Sequence, residues 1–408
     1  MATQQLSLIT NEERRVGWYQ DVHPPTRPEE VTPSTKPEDL DLNWRESDLP
    51  ERIRTKHVHR LHPYLGKFIP QLVEVFLRMY FKPGETVYDP FCGSGTTLVE
   101  ANVLGVNAIG CDISGFNCLL SKVKTQKYDV SRAKREIIDI LQETETHCRP
   151  NLFSSAGDEV IKETGNSYLL EWYAPQARKE LLTYNSLIGS HSYPDLLKII
   201  LSRSARSARL TTHFDLDFPK KPQTESYYCY KHSRSCSPTQ EALGFLRRYS
   251  LDTIERIVEF AALRTNAQVT VLNADSRYVE LPDQIDGIIT SPPYVGLIDY
   301  HEQHRYAYEL LGLTDKRDLE IGAAARGSSQ AAKKAYREDI MAVFTHAAQH
   351  MRPGSPAVVV VHDKHDLYPE IASACGFKVE CVIERHVNRR TGRRAGEFFE
   401  EIYVWRRQ

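Results

Sequence analysis

Thr86-Val87-Tyr88-Asp89-Pro90-Phe91-Cys92-Gly93-Ser94-Gly95-Thr96-Thr97 passes from a strand-like triplet through a glycine turn into helical spacing at Leu98, Val99, Ala101 and Leu104. Gly93 and Gly95 let the backbone turn tightly and approach a ligand closely. Free N–H groups at the helix start suit a carboxylate. The turn is not the dinucleotide fingerprint, because Leu98 stands where a third glycine would. It is no P-loop either, since no lysine follows the glycines. Asp112 ends the next strand-like run, where an acid hydrogen-bonds ribose hydroxyls. Asp275 follows the third run and could reach an adenine amino group. Together these suit a nucleoside with an amino-acid tail better than a pyrophosphate.

Outward from this turn, seven strand-like runs appear: Thr86–Tyr88, Ala108–Cys111, Val269–Leu272, Gly287–Thr290, Ala357–Val361, Lys378–Ile383 and Glu401–Trp405. Helical patterns separate most of them, and Leu72, Val73, Val75, Phe76 and Leu77 form another before the first. The alternation predicts an α/β fold: a seven-stranded, mostly parallel sheet with helices on both faces. Residues 51–130 and 265–408 carry it. Residues 131–264 interrupt it as a mostly helical insertion, with patterns at Ala133–Glu145, Ala174–Leu187, Asp195–Ser202 and Thr253–Leu263. A loop-like stretch from Arg203 to Pro238 mixes Arg203, Arg206, Arg209, Lys220, Lys221, Lys231 and Arg234 with Phe214, Phe218, Tyr227, Tyr228 and Tyr230. Such a mixture suits contact with phosphates and bases, or is a solvated charged surface.

Residues 1–50 are polar and proline-dotted, without apolar periodicity, and read as an arm that wraps the surface or stays partly disordered. The 408-residue chain can bury a large core, and its net charge of −2 requires any basic surface to be local. No apolar run approaches membrane-spanning length and no signal-peptide pattern opens the chain. Eight cysteines in a chain this long do not look like a disulfide framework. A reduced, cytoplasmic protein with no membrane partner is expected.

Ser291-Pro292-Pro293-Tyr294 closes the fourth run. Two prolines cannot continue a strand, so the chain stops in a stiff turn, with a hydroxyl before it and a ring after it. That could be a plain strand-ending turn, or a clamp for a flat, amino-bearing molecule. In combination, Asp-Pro-Phe-x-Gly-Ser-Gly-Thr, the acid Asp112 and Ser-Pro-Pro-Tyr resemble the amino-directed DNA methyltransferases, which modify N4 of cytosine or N6 of adenine. His62-Pro63-Tyr64-x-x-Lys67-Phe68-Ile69-Pro70 is similar to the family segment that closes over the methionine end of the cofactor. Asp299-Tyr300 with His304, Arg305 and Leu311, and Arg389-Arg390-Thr391-Gly392-Arg393-Arg394, also fit.

The resemblance implies a class I methyltransferase fold and S-adenosylmethionine as cofactor, held by Lys67, Phe68, Ile69, Pro70, Asp89, Phe91, Gly93, Gly95, Thr96, Asp112 and Asp275. It implies that Ser291, Pro292, Pro293 and Tyr294 form the catalytic clamp, with Tyr294 stacked on a flipped base. Double-stranded DNA is the implied partner, a cognate restriction endonuclease a further one, and association with the nucleoid through DNA follows. Arg203, Arg206, Arg209, Lys220, Lys221, Arg389, Arg390, Arg393 and Arg394 are the candidate DNA contacts, and residues 131–264 the candidate recognition region. Serine at the head of the tetrapeptide leans to N4 of cytosine. Adenine N6, guanine N2 of RNA, and a non-catalytic cofactor-sensing DNA binder are the alternatives. No Pro-Cys dipeptide is present, which favours direct transfer over a covalent intermediate.

Cys229-x-x-His232-x-x-x-Cys236 has metal-like spacing, but a structural zinc site needs four ligands. His213 could supply the fourth, although nothing in the sequence brings it close, so no metal is expected. Cys92 and Cys111 read as small core residues. His362-Asp363-Lys364-His365 reads as a solvated loop at the strand ends.

Overall fold

The structure, a computed structural model, describes residues 15–16, 24–66, 68–148, 164–213, 218–296, 298–327, 329–387 and 398–408. Its strands are β1 (Arg15–Val16), β2 (Thr86–Asp89), β3 (Asn107–Cys111), β4 (Tyr227–Cys229), β5 (Arg234–Cys236), β6 (Val269–Leu272), β7 (Gly287–Thr290), β8 (Pro356–Val361), β9 (Phe377–His386) and β10 (Phe399–Arg407). One eight-stranded sheet has the order β1-β9-β10-β8-β7-β2-β3-β6. Only β10 runs antiparallel, against both β8 and β9. All seven expected strands lie in this class I, Rossmann-like sheet. The count of seven needs correction by one, because two residues of the N-terminal arm add a parallel edge to β9.

Strand order places the site. β2 pairs with β3 on one side and with β7 on the other, all parallel. The chain winds outward in both directions from this point, and ligands bind at such a switch point beyond the carboxyl ends of the strands. The glycine turn leaves β2 there and Ser291–Tyr294 leaves β7 beside it, although some 200 residues separate them in sequence.

Strand periodicity divides the core. Val87 and Ile289 face a cluster with Leu72, Phe76, Leu98 and Ile402, while Tyr88 and Ile288 face Phe344, Tyr403 and Trp405 on the opposite side. A third cluster joins the insertion to the sheet domain: Ile137, Tyr184, Leu197 and Ile257 pack with Phe116, Leu120, Val123 and Tyr306. The insertion therefore shares a continuous core with the fold it interrupts.

Two expectations change here. The arm, expected to wrap the surface or stay partly disordered, packs into the core in its described part: Val31, Leu40, Leu42, Trp44 and Leu49 are buried in the cluster around Phe76. Proline-rich spacing hid this, because irregular backbone has no period to detect. The indole Nε1 of Trp44 donates to the Thr26 carbonyl at 2.8 Å, and Arg385 Nε donates to the Leu42 carbonyl at 3.1 Å. The helix expected over Asp195–Ser202 spans Pro194–Ala208, so the loop-like stretch begins later than expected. Leu201, Ala205 and Ala208 continue its buried face, and the arginines between them masked the spacing. Among the described residues, no helix is long and apolar enough to cross a membrane.

Candidate active site

The glycine turn is fixed from below. Asp89 is fully buried, and its two carboxylate oxygens accept from Thr97 Oγ1 and Thr290 Oγ1, each at 2.6 Å. It thereby couples the helix Thr96–Val103 to the end of β7, directly before Ser291. Burial pushes its acid up to about 6, against the pull of those hydroxyls. Asp89 does not line the cleft, so its expected cofactor contact is corrected to a positioning role: its oxygens are already spent. Gly95, expected on the cofactor, likewise sits behind the turn as the N-cap of that helix at φ +77°. A β-carbon there would lie 2.7 Å from Ser121 Oγ. Ile69 and Pro70 begin the helix Pro70–Tyr80 and do not line the cleft: Ile69 packs on the core cluster and Pro70 is buried in the first turn.

Above the turn lies a cleft of about 770 Å³, its open mouth included, within the range of ligand pockets. Phe68, Phe91, Gly93, Thr96, Asp112, Asp275, Ser291 and Pro293 all line it, as the sequence led one to expect of a shared site. Asp112 accepts from the Gly93 N–H at 2.9 Å and the Ser114 N–H at 2.8 Å. Burial still dominates, and pushes its carboxyl up to about 6. Asp275 faces the cleft with much of its acceptor capacity already used: Arg277 Nη2 bonds it at 2.6 Å and Nε at 2.9 Å. Against the cost of its burial, that guanidinium holds the Asp275 carboxyl below its ordinary range.

The tetrapeptide divides. The Pro293 carbonyl accepts from the Tyr336 hydroxyl at 2.9 Å. The Pro292 carbonyl accepts no hydrogen bond among the described residues. Tyr294 does not line the cleft; its hydroxyl donates to Glu400 Oε1 at 3.2 Å. Glu400 in turn pairs with the buried Arg385 at 3.1 Å, the residue that also holds the arm at Leu42.

Several cleft residues were not on the sequence's list of contacts. Tyr64 lies over the turn, close enough that a β-carbon on Gly93 would stand 2.9 Å from its hydroxyl. Asn117 Nδ2 bridges Tyr64 Oη at 3.1 Å and Asp112 Oδ2 at 3.1 Å. The offset Asp112, Ser114, Asn117 at a helix start was a readable signal for both. Glu320 had none: an irregular segment brings it in, bonded through Oε1 to His301. Three buried polar atoms in the cleft have no partner among the described residues: Ser94 Oγ, Asn117 Oδ1 and Glu320 Oε2. A hydroxyl donor with two acceptors fits a ligand carrying both a carboxylate and amino or hydroxyl protons.

The candidate DNA contacts separate by exposure. Arg203 is buried, pairs with Asp252 at 2.5 Å and covers the Tyr249 ring. Arg209 is buried over the Tyr306 ring. Both are corrected to core cations, because an extra turn of helix carries them inward. Arg206 is half-buried on the same helix, while Lys220 and Lys221 are exposed. Lys67, Arg389, Arg390, Arg393 and Arg394 lie outside the described residues. His213 does approach Cys229, with Nδ1 3.5 Å from its sulfur, contrary to the ground on which a metal was set aside. In the His362–His365 stretch, Asp363 caps a helix by accepting from the N–H groups of Leu367 and Tyr368.

A family profile described as DNA methylase matches residues 11–122. The match begins inside the arm, upstream of the expected boundary at residue 51. Type II methyltransferase M.MjaII of Methanocaldococcus jannaschii is 38% identical over 431 aligned residues, covering 87% of this chain and 81% of that one. The chain belongs to the amino-directed type II DNA methyltransferases. Type II methyltransferase M.MvaI of Kocuria varians is 24% identical, over 58% of this methyltransferase and 53% of its own length. A tRNA (guanine(10)-N2)-dimethyltransferase of M. jannaschii is 31% identical over only 23% of this chain and 30% of its own. The cofactor of the methyltransferase is S-adenosylmethionine, and the three unpartnered atoms of the cleft suit its amino-acid and ribose groups.

Proposed function

We propose that this DNA methyltransferase acts on the N4 amino group of a flipped cytosine. The observation that carries this reading is the turn after β7, where Ser291 lines the cofactor cleft and the adjoining Pro292 carbonyl accepts no hydrogen bond among the described residues. An exocyclic amine is a poor nucleophile because its lone pair is delocalised into the ring. Ser291 and the Pro292 carbonyl accept hydrogen bonds from its two N–H groups and favour the tetrahedral nitrogen of the transition state, and the one proton that the methylated nitrogen sheds passes to water. Tyr294, held by Glu400 outside the cofactor cleft, must turn its ring toward the base to stack on it. S-adenosylmethionine, when bound, supplies an electrophilic methyl group on a sulfonium, whose sulfur departs as a neutral thioether. Asp112 holds the ribose hydroxyls, Glu320 Oε2 and Asn117 Oδ1 accept hydrogen bonds from the amino group, and Ser94 Oγ donates to the carboxylate. Serine at position 291 supports cytosine over adenine through the family resemblance.

Flipping costs a few kcal/mol. Lys220, Lys221 and the exposed rings Phe218, Tyr228 and Tyr230 support an interface for the distorted duplex, in keeping with residues 131–264 as the recognition region. A restriction–modification setting with a cognate endonuclease accords with a type II enzyme.

Mass spectrometry of nucleosides from DNA incubated with the enzyme and cofactor tests the base, with N4-methylcytosine expected. N6-methyladenine would select the sister activity. Ser291→Ala should lower kcat by about 100-fold, and Pro292→Ala should lower it by disturbing the turn. Unchanged transfer in both would sink the assigned roles.

A further inference from the structure

Outside the active site, the structure gathers one set of side chains that methyl transfer does not use. β4 and β5 form a separate antiparallel hairpin, three residues per strand, with Ser233 at φ +51° in its turn. Cys229 lies on β4, Cys236 on β5 and His232 in the turn. His213 comes from the chain that leaves the helix Pro194–Ala208. One ligand atom from each of the four lies within 4.8 Å of the others.

The spacings match a coordination tetrahedron. Zinc bonds of about 2.3 Å to sulfur and 2.05 Å to nitrogen place sulfur and nitrogen ligands about 3.6 Å apart. Cys229 Sγ stands 3.5 Å from His213 Nδ1 and 3.7 Å from His232 Nδ1, and Cys236 Sγ stands 3.5 Å from His232 Nδ1. An S–H to imidazole contact could give any one of these distances. Four converging ligands with two thiols and two imidazoles is a soft, borderline donor set that selects zinc. The geometry points to a structural Zn²⁺ site formed by His213, Cys229, His232 and Cys236.

Physical need agrees with geometry. An isolated two-stranded hairpin is marginal in water. This one exposes Tyr228 and Tyr230, at 58% and 79%, and so has little apolar burial to hold it. An ion would cross-link both strands, their turn and the segment at His213 at one point. The Tyr227 hydroxyl now lies 2.9 Å from His213 Nδ1. On loading it gives up that bond and retains the one it accepts from the His213 backbone N–H at 3.0 Å. A second group, His57, His59 and Glu100, does not compete: Lys56 and His59 each bond a Glu100 oxygen at 2.7 Å.

The test is metal analysis of the full chain, purified without chelator and reconstituted with zinc sulfate. One Zn²⁺ per chain is expected, and Co²⁺ in its place should show tetrahedral visible bands with thiolate charge transfer. Cys229→Ser combined with Cys236→Ser should abolish both. Absence of stoichiometric metal in the wild-type chain overturns the site, as does an unchanged Co²⁺ spectrum in the double variant. Should that variant fail to fold, the wild-type spectrum decides alone, and thiolate-free octahedral Co²⁺ overturns the assignment.

Discussion

Asp112 shows what burial does to one carboxylate. Its acid is raised from 3.8 to about 6 because the cleft removes water, and three hydrogen-bond donors offset this only in part. If the ionised form accepts ribose hydroxyls, cofactor affinity should fall as pH drops through about 6, and Asp112→Asn should flatten that dependence in calorimetric titrations from pH 5 upward. For folding the sign is opposite. A raised acid favours the fold below its unfolded value of 3.8, and that contribution is lost as pH rises through about 6. The arginines separate as sharply. Arg203→Ala removes the shorter ion pair of Asp252, leaving it Arg256 at 3.4 Å, and should lower stability by about 2 kcal/mol, leaving the DNA affinity of the folded fraction unchanged. Lys220→Ala and Lys221→Ala should leave Tm unchanged, and each should weaken DNA binding and shallow its salt dependence by about one unit. Loss of DNA affinity in Arg203→Ala, measured on folded protein, would contradict the division.

At the level of elements, the glycine turn works because it is held on both sides. Asp89 binds Thr97 and Thr290 beneath it, Lys124 Nζ donates to the Ser94 carbonyl at 2.7 Å, and Ser121 Oγ donates to the Gly93 carbonyl at 2.9 Å. Gly93→Ala and Gly95→Ala should therefore fail differently. A methyl at position 95 meets Ser121, including its backbone Cα at 3.1 Å, and at φ +77° should cost about 1–3 kcal/mol of stability. A methyl at 93 is also strained, at φ +47°, but meets only the flexible end of Tyr64, and by displacing that ring should lower cofactor affinity more than Tm. Thermal melts and cofactor titrations of the two variants would distinguish these outcomes. Equal loss of both quantities in both variants would contradict this division.

Across the whole molecule, the described part of the arm is linked to Tyr294. Leu42 and Trp44 meet Arg385, Arg385 pairs with Glu400, and Glu400 accepts from Tyr294. Removing residues 1–50 should expose the cluster around Phe76, raise binding of a hydrophobic dye and lower kcat more than cofactor affinity. Unaltered kcat in a folded truncation would refute this coupling. Local signals in the sequence carried the strands, the glycine turn, Asp112 and the stiff Ser291–Tyr294 turn, because strand period, glycine and proline act within a few residues of themselves. They also carried the separate spacing of Cys229, His232 and Cys236. Only the tertiary structure brought β2 beside β7, turned Arg203 and Arg209 inward, used up the oxygens of Asp89, buried Leu42 and Trp44 of the arm and moved His213 to the cysteines. Those outcomes depend on burial and on pairing between residues far apart in the chain, and such partners leave no local period to read.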